Sequence, residues 1–247
     1  MSRYDGKRVV ITGGTSGIGL AAAKLLVNDG ARVLVTGRTK ARLDLASEQL
    51  GPKAIVLKSD ASSLYDIDAL AARVKSELNT LDALLICSGQ TRFVPFDSVT
   101  EETYDDLFAV NTKGSYFTVQ KLAPLMNKGS AVVFTTAIAN VLGNPMISVY
   151  SATKAALRSM VRSLARELLP RGVRVNAVSP GPIDTGILES AMPREAAART
   201  KQQMSESNPM QRFGDPEEVA KALVFLAFEA TYTTGAELAV DGGRTQL

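Results

Sequence analysis

The chain has 247 residues, 45% of them hydrophobic, which is enough to bury a core without covalent staples. Its one cysteine, Cys87, excludes an internal disulfide, and the absence of histidine excludes His-based triads and His general bases. One Cys without His also leaves no structural zinc set, so no metal is expected. The 28 basic and 25 acidic residues, net +3, are spread along the chain, so no nucleic-acid partner is expected. No apolar run spans a bilayer and no secretory pattern precedes the first apolar run, so the expectation is a cytoplasmic protein with no membrane partner.

In chain order, β-branched runs alternate with amphipathic segments. The runs are Val9–Ile11, Val33–Val35, Ala54–Leu57, Ala83–Ile86, Ala131–Phe134 and Val173–Val175. They are continuous rather than alternating, as strands buried on both faces require. Ile18–Asn28, Leu64–Leu78 and Thr103–Met126 read as helices between them, with Thr100 capping Glu101 and Glu102. Asn28-Asp29-Gly30 and Pro170-Arg171-Gly172 read as helix ends. This order implies an α/β fold: one Rossmann-type domain, 1–247, with a doubly wound parallel sheet. The least regular stretch, 182–213, reads as a helical substrate lid inserted over the sheet's carboxyl edge.

Thr12-Gly13-Gly14-Thr15-Ser16-Gly17-Ile18-Gly19 lies between the first strand and the first helix. Glycines there allow a sharp turn and close backbone approach to a pyrophosphate, and the helix N-terminus attracts the anion. The spacing is T-G-x-x-x-G-x-G. The second strand then ends at Gly37-Arg38. An NAD site places a carboxylate near this point for the ribose 2′-hydroxyl. Gly37 removes that acid and leaves room, and the Arg38 guanidinium can pair with a 2′-phosphate, with Lys40 and Arg42 adding charge. The expected cofactor is therefore NADP(H).

Tyr150 and Lys154 form a Y-x-x-x-K. Four residues apart on a helix, they share a face. A nearby ammonium favours the phenolate and would lower the Tyr pKa.

Taken with the turn, these residues resemble the short-chain dehydrogenase/reductase family in its single-domain form, over essentially the whole chain. Asn111, in Asn111-Thr112-Lys113-Gly114, matches the family Asn whose backbone holds a relay water. Ser179 to Thr185 matches the loop that meets nicotinamide and diphosphate. The resemblance implies a homotetramer, built through Pro209–Ala220 and Gly235–Gly243, acting on a small-molecule carbonyl or alcohol. It implies catalytic roles at Tyr150, Lys154, Asn111 and position 137. It also implies a cofactor site at Gly13, Thr15, Ser16, Gly17, Ile18, Gly19, Arg38, Asp60, Ala61, Cys87, Gly89, Tyr150, Lys154, Pro180, Gly181, Ile183 and Thr185. Asp60 would meet adenine.

Two departures stand out. The family's catalytic Ser lies thirteen residues before the Tyr, and here that residue is Ala137. Ala has no donor, and loss of one well-placed donor costs about 10²–10³ in rate. Thr136, a water, an introduced Ser→Ala change or a cofactor-binding protein without turnover are the alternatives; an epimerase with a larger C-terminal domain is a third class that this length hardly accommodates. Second, Ile86-Cys87-Ser88-Gly89 stands where the family has Asn-Asn-Ala-Gly, and Cys87 reads as a buried core thiol. Arg92, Phe93, Asn140, Leu142, Met146 and Ile147, with Ile187, Leu188 and Met192 from the lid, form the expected pocket wall. A largely apolar ketone or keto ester would suit it.

Overall fold

The computed structural model describes residues 2–247. Seven parallel strands form one sheet in the order β3-β2-β1-β4-β5-β6-β7. They are β1 (Arg8–Thr12), β2 (Arg32–Gly37), β3 (Ala54–Lys58), β4 (Leu81–Ile86), β5 (Met126–Thr135), β6 (Arg174–Pro180) and β7 (Glu237–Val240). Successive strand residues point to opposite faces, which explains the continuous apolar runs. Val9 and Ile11 enter one core with Val33, Val35 and helix residues Leu26 and Leu223. Val10 and Leu34 enter the other with Leu70, Phe134 and Val161. The order reverses between β1 and β4, so the carboxyl ends of these strands diverge and leave a crevice.

Helices cover both faces: α1 (Gly17–Asn28), α2 (Lys40–Leu50), α3 (Leu64–Glu77), α4 (Glu101–Phe108), α5 (Gly114–Leu122), α6 (Ser148–Leu168), α7 (Ile187–Ala191), α8 (Arg194–Glu206) and α9 (Pro216–Phe228). The Thr100 hydroxyl caps α4 by accepting from the Thr103 amide. Gly172 ends the turn after α6 in the left-handed region, φ 70°.

The segment Thr103–Met126, read as one helix, is instead α4, a π-turn over Ala109–Lys113, and α5. It stops at Leu122, because Pro124 lacks the N–H that another turn needs. Met126 already belongs to β5. The short strand β7 escaped the sequence pattern; four edge residues carry too little periodicity. Arg174 links this end of the sheet to α9. Its guanidinium donates to the carbonyls of Leu226, Ala227 and Ala230, closing the helix C-terminus. Among the described residues no helix is long and apolar enough to cross a membrane.

Candidate active site

A cavity of about 730 Å³ occupies the crevice at the carboxyl edge. Its inner end is the turn between β1 and α1. Gly13 has φ 66° and Gly17 φ 50°, both in the left-handed region. A Cβ at Gly13 would stand 2.8 Å from the Ser88 backbone, so only glycine fits between β1 and β4. Ser16 caps α1 without a side-chain bond, and the first turn carries no acid. The N-terminal amides of α1 therefore face the cavity free of a carboxylate competitor, the condition for holding a pyrophosphate. The donor set and the glycine cradle fit a dinucleotide.

The structure brings the sequence-derived cofactor residues around this one cavity. Gly13, Thr15, Ser16, Gly17, Ile18 and Gly19 line the turn, and Arg38, Asp60 and Ala61 line the far wing. Cys87, Gly89, Tyr150, Lys154, Pro180, Gly181, Ile183 and Thr185 complete the wall. Ala137 also lines it. Asn111 does not; it is fully buried behind the wall.

Arg42 joins Arg38 in the lining, whereas Lys40 pairs with Asp44 and does not reach the cavity. Gly37 does not simply leave room: the Thr15 side chain fills the space where a Cβ would stand. Arg38 lies 3.8 Å from Asp60. Burial pushes the Asp60 carboxyl up, but two hydrogen bonds from Ser62 and the Arg38 charge outweigh it and hold the group below its ordinary range.

Cys87, just beyond the end of β4, is half-buried: it packs against the core and also borders the cavity. Its sulfur accepts from the Thr135 hydroxyl at 3.4 Å, and burial pushes its thiol up to about 11. A thiol so high is a poor nucleophile. Thr12 and Ser88 share a 3.0 Å hydroxyl contact and the Cys87 amide donates to the Thr12 carbonyl, tying the end of β1 to the end of β4.

Tyr150 and Lys154 share the inner face of α6, and Lys154 Nζ lies 5.6 Å from the Tyr150 ring centre. Lys154 donates to the Thr135 carbonyl at 2.9 Å. Burial holds its pKa down to about 8, with Cys87 opposing slightly. A Cβ at Gly89 would sit 3.4 Å from this ammonium, so the glycine also makes room for Lys154. The expectation that Lys154 lowers the Tyr150 pKa is not met. Burial raises the phenol above its ordinary value, opposed in part by the Thr91 side chain. The ammonium is committed to the Thr135 carbonyl and does not pull the phenol down.

Ala137 follows β5 in extended conformation with its methyl in the cavity wall. Its neighbour Thr136 also borders the cavity, but its hydroxyl turns away to donate to the Glu237 carboxylate at 2.6 Å, with the Val178 carbonyl 3.0 Å off. Asn140 also turns to Glu237, at 2.9 Å, and so leaves the pocket wall. Arg92 pairs with Asp106, and Arg92 and Met146 flank a separate small void. Met192 receives the Thr200 hydroxyl and, like Leu142, is not in the lining. Phe93, Ile147, Ile187 and Leu188 do line the cavity. Gln90, Thr91, Asn144, Thr200, Met204 and Phe213, which the sequence did not single out for it, join them. With Val110, Ile138 and Pro182 also in the lining, the wall is largely apolar with a few polar groups.

Comparison with known proteins agrees with this geometry. A family model described as "Enoyl-(Acyl carrier protein) reductase" matches residues 13–245. An oxidoreductase, asL5, of Sarocladium schorii is 38% identical over 100% of this chain and 99% of its own. The 3-oxoacyl-[acyl-carrier-protein] reductase FabG of Thermotoga maritima is 34% identical, covering 98% of both chains. A solved short-chain dehydrogenase/reductase from Brucella melitensis, titled a glucose/ribitol dehydrogenase, superposes with TM-score 0.92 at 29% identity over 98% of each chain. The chain belongs to the short-chain dehydrogenase/reductase family. It is an oxidoreductase of that family, whose members use nicotinamide cofactors NAD(P)(H).

Proposed function

We propose that the protein reduces a ketone to an alcohol with NADPH, reversibly, with Tyr150 as proton donor. The observation that carries this reading is the Tyr150–Lys154 pair on the wall of the cavity that begins at the glycine turn. A bound nicotinamide would supply hydride to the carbonyl carbon. The chain's own part is to hold a phenol beside the carbonyl oxygen and give it a proton. A phenol kept above its ordinary pKa is fully protonated near neutrality, which suits reduction. Lys154, held by the Thr135 carbonyl on the same cavity wall, would bind the ribose. Arg38 and Arg42 on the far wing, and a Gly37 with no acid, favour the 2′-phosphate. Residues 182–213, with α7 and α8 over the cavity, would act as the substrate lid. Phe225 and Leu238 are exposed on α9 and β7, and they support the homotetramer; light scattering at four chain masses tests it.

The test is a carbonyl panel followed by nucleotide absorbance with NADPH and NADH. Tyr150→Phe should cost about 10²–10⁴-fold in kcat, far more than any loss of NADPH affinity from its place in the cofactor site. Equal rates with Tyr150→Phe would remove the proton-donor role, and tighter binding of NADH than NADPH would remove the cofactor assignment. The Ala137 methyl favours a second reading, a cofactor-binding protein with impaired turnover. NADPH binding without turnover across the panel is its expected signature.

A further inference from the structure

Arg38 and Arg42 line the cavity from the wing beyond β2, where Asp60 faces Arg38. Arg244 lines the same cavity from the opposite edge of the sheet, four residues past the end of β7. In the strand order, β2 and β7 stand five positions apart, about 24 Å at a spacing near 4.8 Å. Arg244 is therefore out of reach of a 2′-phosphate held at Arg38. The C-terminal turn that carries it is fixed. The buried Asp241 carboxylate accepts from the Gly243 amide at 2.9 Å and from the Thr245 amide and hydroxyl at 2.9 and 2.6 Å, on either side of Arg244. Asn208, just after α8, donates to the Asp241 carbonyl at 3.0 Å. Arg244 itself donates to the Ser207 hydroxyl at 3.1 Å. Thr200 and Met204, one helical turn apart on α8, also line the cavity, so Arg244 continues the face that the lid presents to it.

Asp60 is the one carboxylate in the lining, and it faces Arg38; Lys154 is held by the Thr135 carbonyl. Arg244 meets only a neutral hydroxyl. Among the described residues no carboxylate, the C-terminus included, pairs with it. The rest of the lid's lining is largely apolar, with Leu188, Met204 and Phe213. A half-buried guanidinium without a counter-charge at such a wall matches a carboxylate, which it can grip through two parallel hydrogen bonds. We propose that Arg244 determines specificity for a keto acid, whose ketone meets Tyr150 and whose carboxylate, at the far end of an apolar chain, pairs with Arg244. Position 137 follows β5 and Arg244 follows β7, two strand positions or about 10 Å apart. Several methylenes therefore separate ketone and carboxylate, which excludes an acid whose two groups adjoin. The inference rests on the cavity being a ketone-reducing site and names its substrate class.

The test compares 7-oxooctanoate with its methyl ester, which keeps the chain and the ketone and removes the charge. The acid should be favoured about tenfold or more in kcat/KM, carried by KM rather than kcat. The preference should shrink as salt rises from about 0.05 to about 0.5 M, with the KM of the ester holding. This arm uses the parent chain and stands whether or not a variant folds. Arg244→Gln, which can still bond Ser207, should level the two compounds, Arg244→Lys should keep part of the preference, and Arg244→Glu should reverse it. Quenching of bound NADPH fluorescence gives the Kd of each compound without turnover and should show the same order. An acid bound and reduced no better than its ester overturns the proposal, and so does a preference that survives in Arg244→Gln. Preferential binding of the acid with no oxidation of NADPH is a different failure: it upholds the carboxylate site and strikes the ketone-reducing reading.

Discussion

Changing Gly37 to Asp would install the acid of an NAD site, and the packing around it forecasts failure. A Cβ at this position would lie 2.7 Å from Thr15 Cγ2 and 3.1 Å from its Cβ, with Oγ1 closer still. Thr15 is only 7% exposed and β-branched, so its atoms cannot swing aside as a long side chain could. Overpacking of this kind costs about 1–3 kcal/mol, here at the turn that holds the phosphates. The new carboxylate would also face a 2′-phosphate, and two like charges about 6 Å apart repel by roughly 3 kcal/mol at an effective dielectric near 20. Gly37→Asp alone should therefore weaken NADPH by about 100-fold or more, lower the melting temperature, and gain nothing for NADH. Adding Thr15→Ala removes Oγ1 and Cγ2, and the double variant should bind NADH better than NADPH. Nucleotide fluorescence titration and thermal unfolding measure both. A single Gly37→Asp that gains NADH affinity at unchanged melting temperature would refute the packing argument.

Lys154→Met should stabilise the protein while removing turnover. The ammonium has a pKa of about 8 when folded and 10.5 when unfolded, so the unfolded chain binds more protons between those values. Its burial therefore costs most below pH 8 and is relieved as pH rises toward 10.5. Near pH 7 the gain is up to about 3 kcal/mol, less about 1 for the lost bond to Thr135, and it should shrink in unfolding curves recorded toward pH 10. A variant less stable than the parent at pH 7 would show that burial is not the dominant influence. Glu237→Gln tests the anchor behind position 137. The carboxylate accepts from Thr136 and Asn140 and lies 3.4 Å from Arg158, with the pair largely buried. A neutral amide leaves the Arg158 charge with only the Gly235 carbonyl, so stability should fall by about 1–3 kcal/mol and kcat should fall with it as residues 136–140 loosen. Unchanged melting temperature and rate would mean that the loop holds without the charge.

Much of the site was legible because its chemistry is local. The glycine turn needs particular backbone angles and helix-end amides, and both are set by residues adjacent in sequence. Tyr150 and Lys154 meet through helical spacing, and Arg38 follows its strand directly. The strands were legible because burial on both faces leaves an unbroken apolar run. Residues whose roles depend on distant partners were not. Asn140 and Met146 looked like pocket wall until Glu237 and the small void beside Arg92 claimed them. Cys87 does pack against the core, but the sequence does not show that its strand ends one residue earlier, which also brings it to the cavity.

The sequence alone determined the alternation of strands and helices, the phosphate turn and the helical Tyr–Lys pair, since each is encoded within a few consecutive residues. Only the tertiary structure decided which side chain fills the space over Gly37, which charges face the cavity, and which way the phenol pKa moves. Thr15 and Gly37 lie 22 positions apart, and Asn111 joins Gln90 to Thr153 across 21 and 42. Contacts of that range depend on strand order and helix placement, and desolvation depends on the whole enclosing wall. No local pattern carries them.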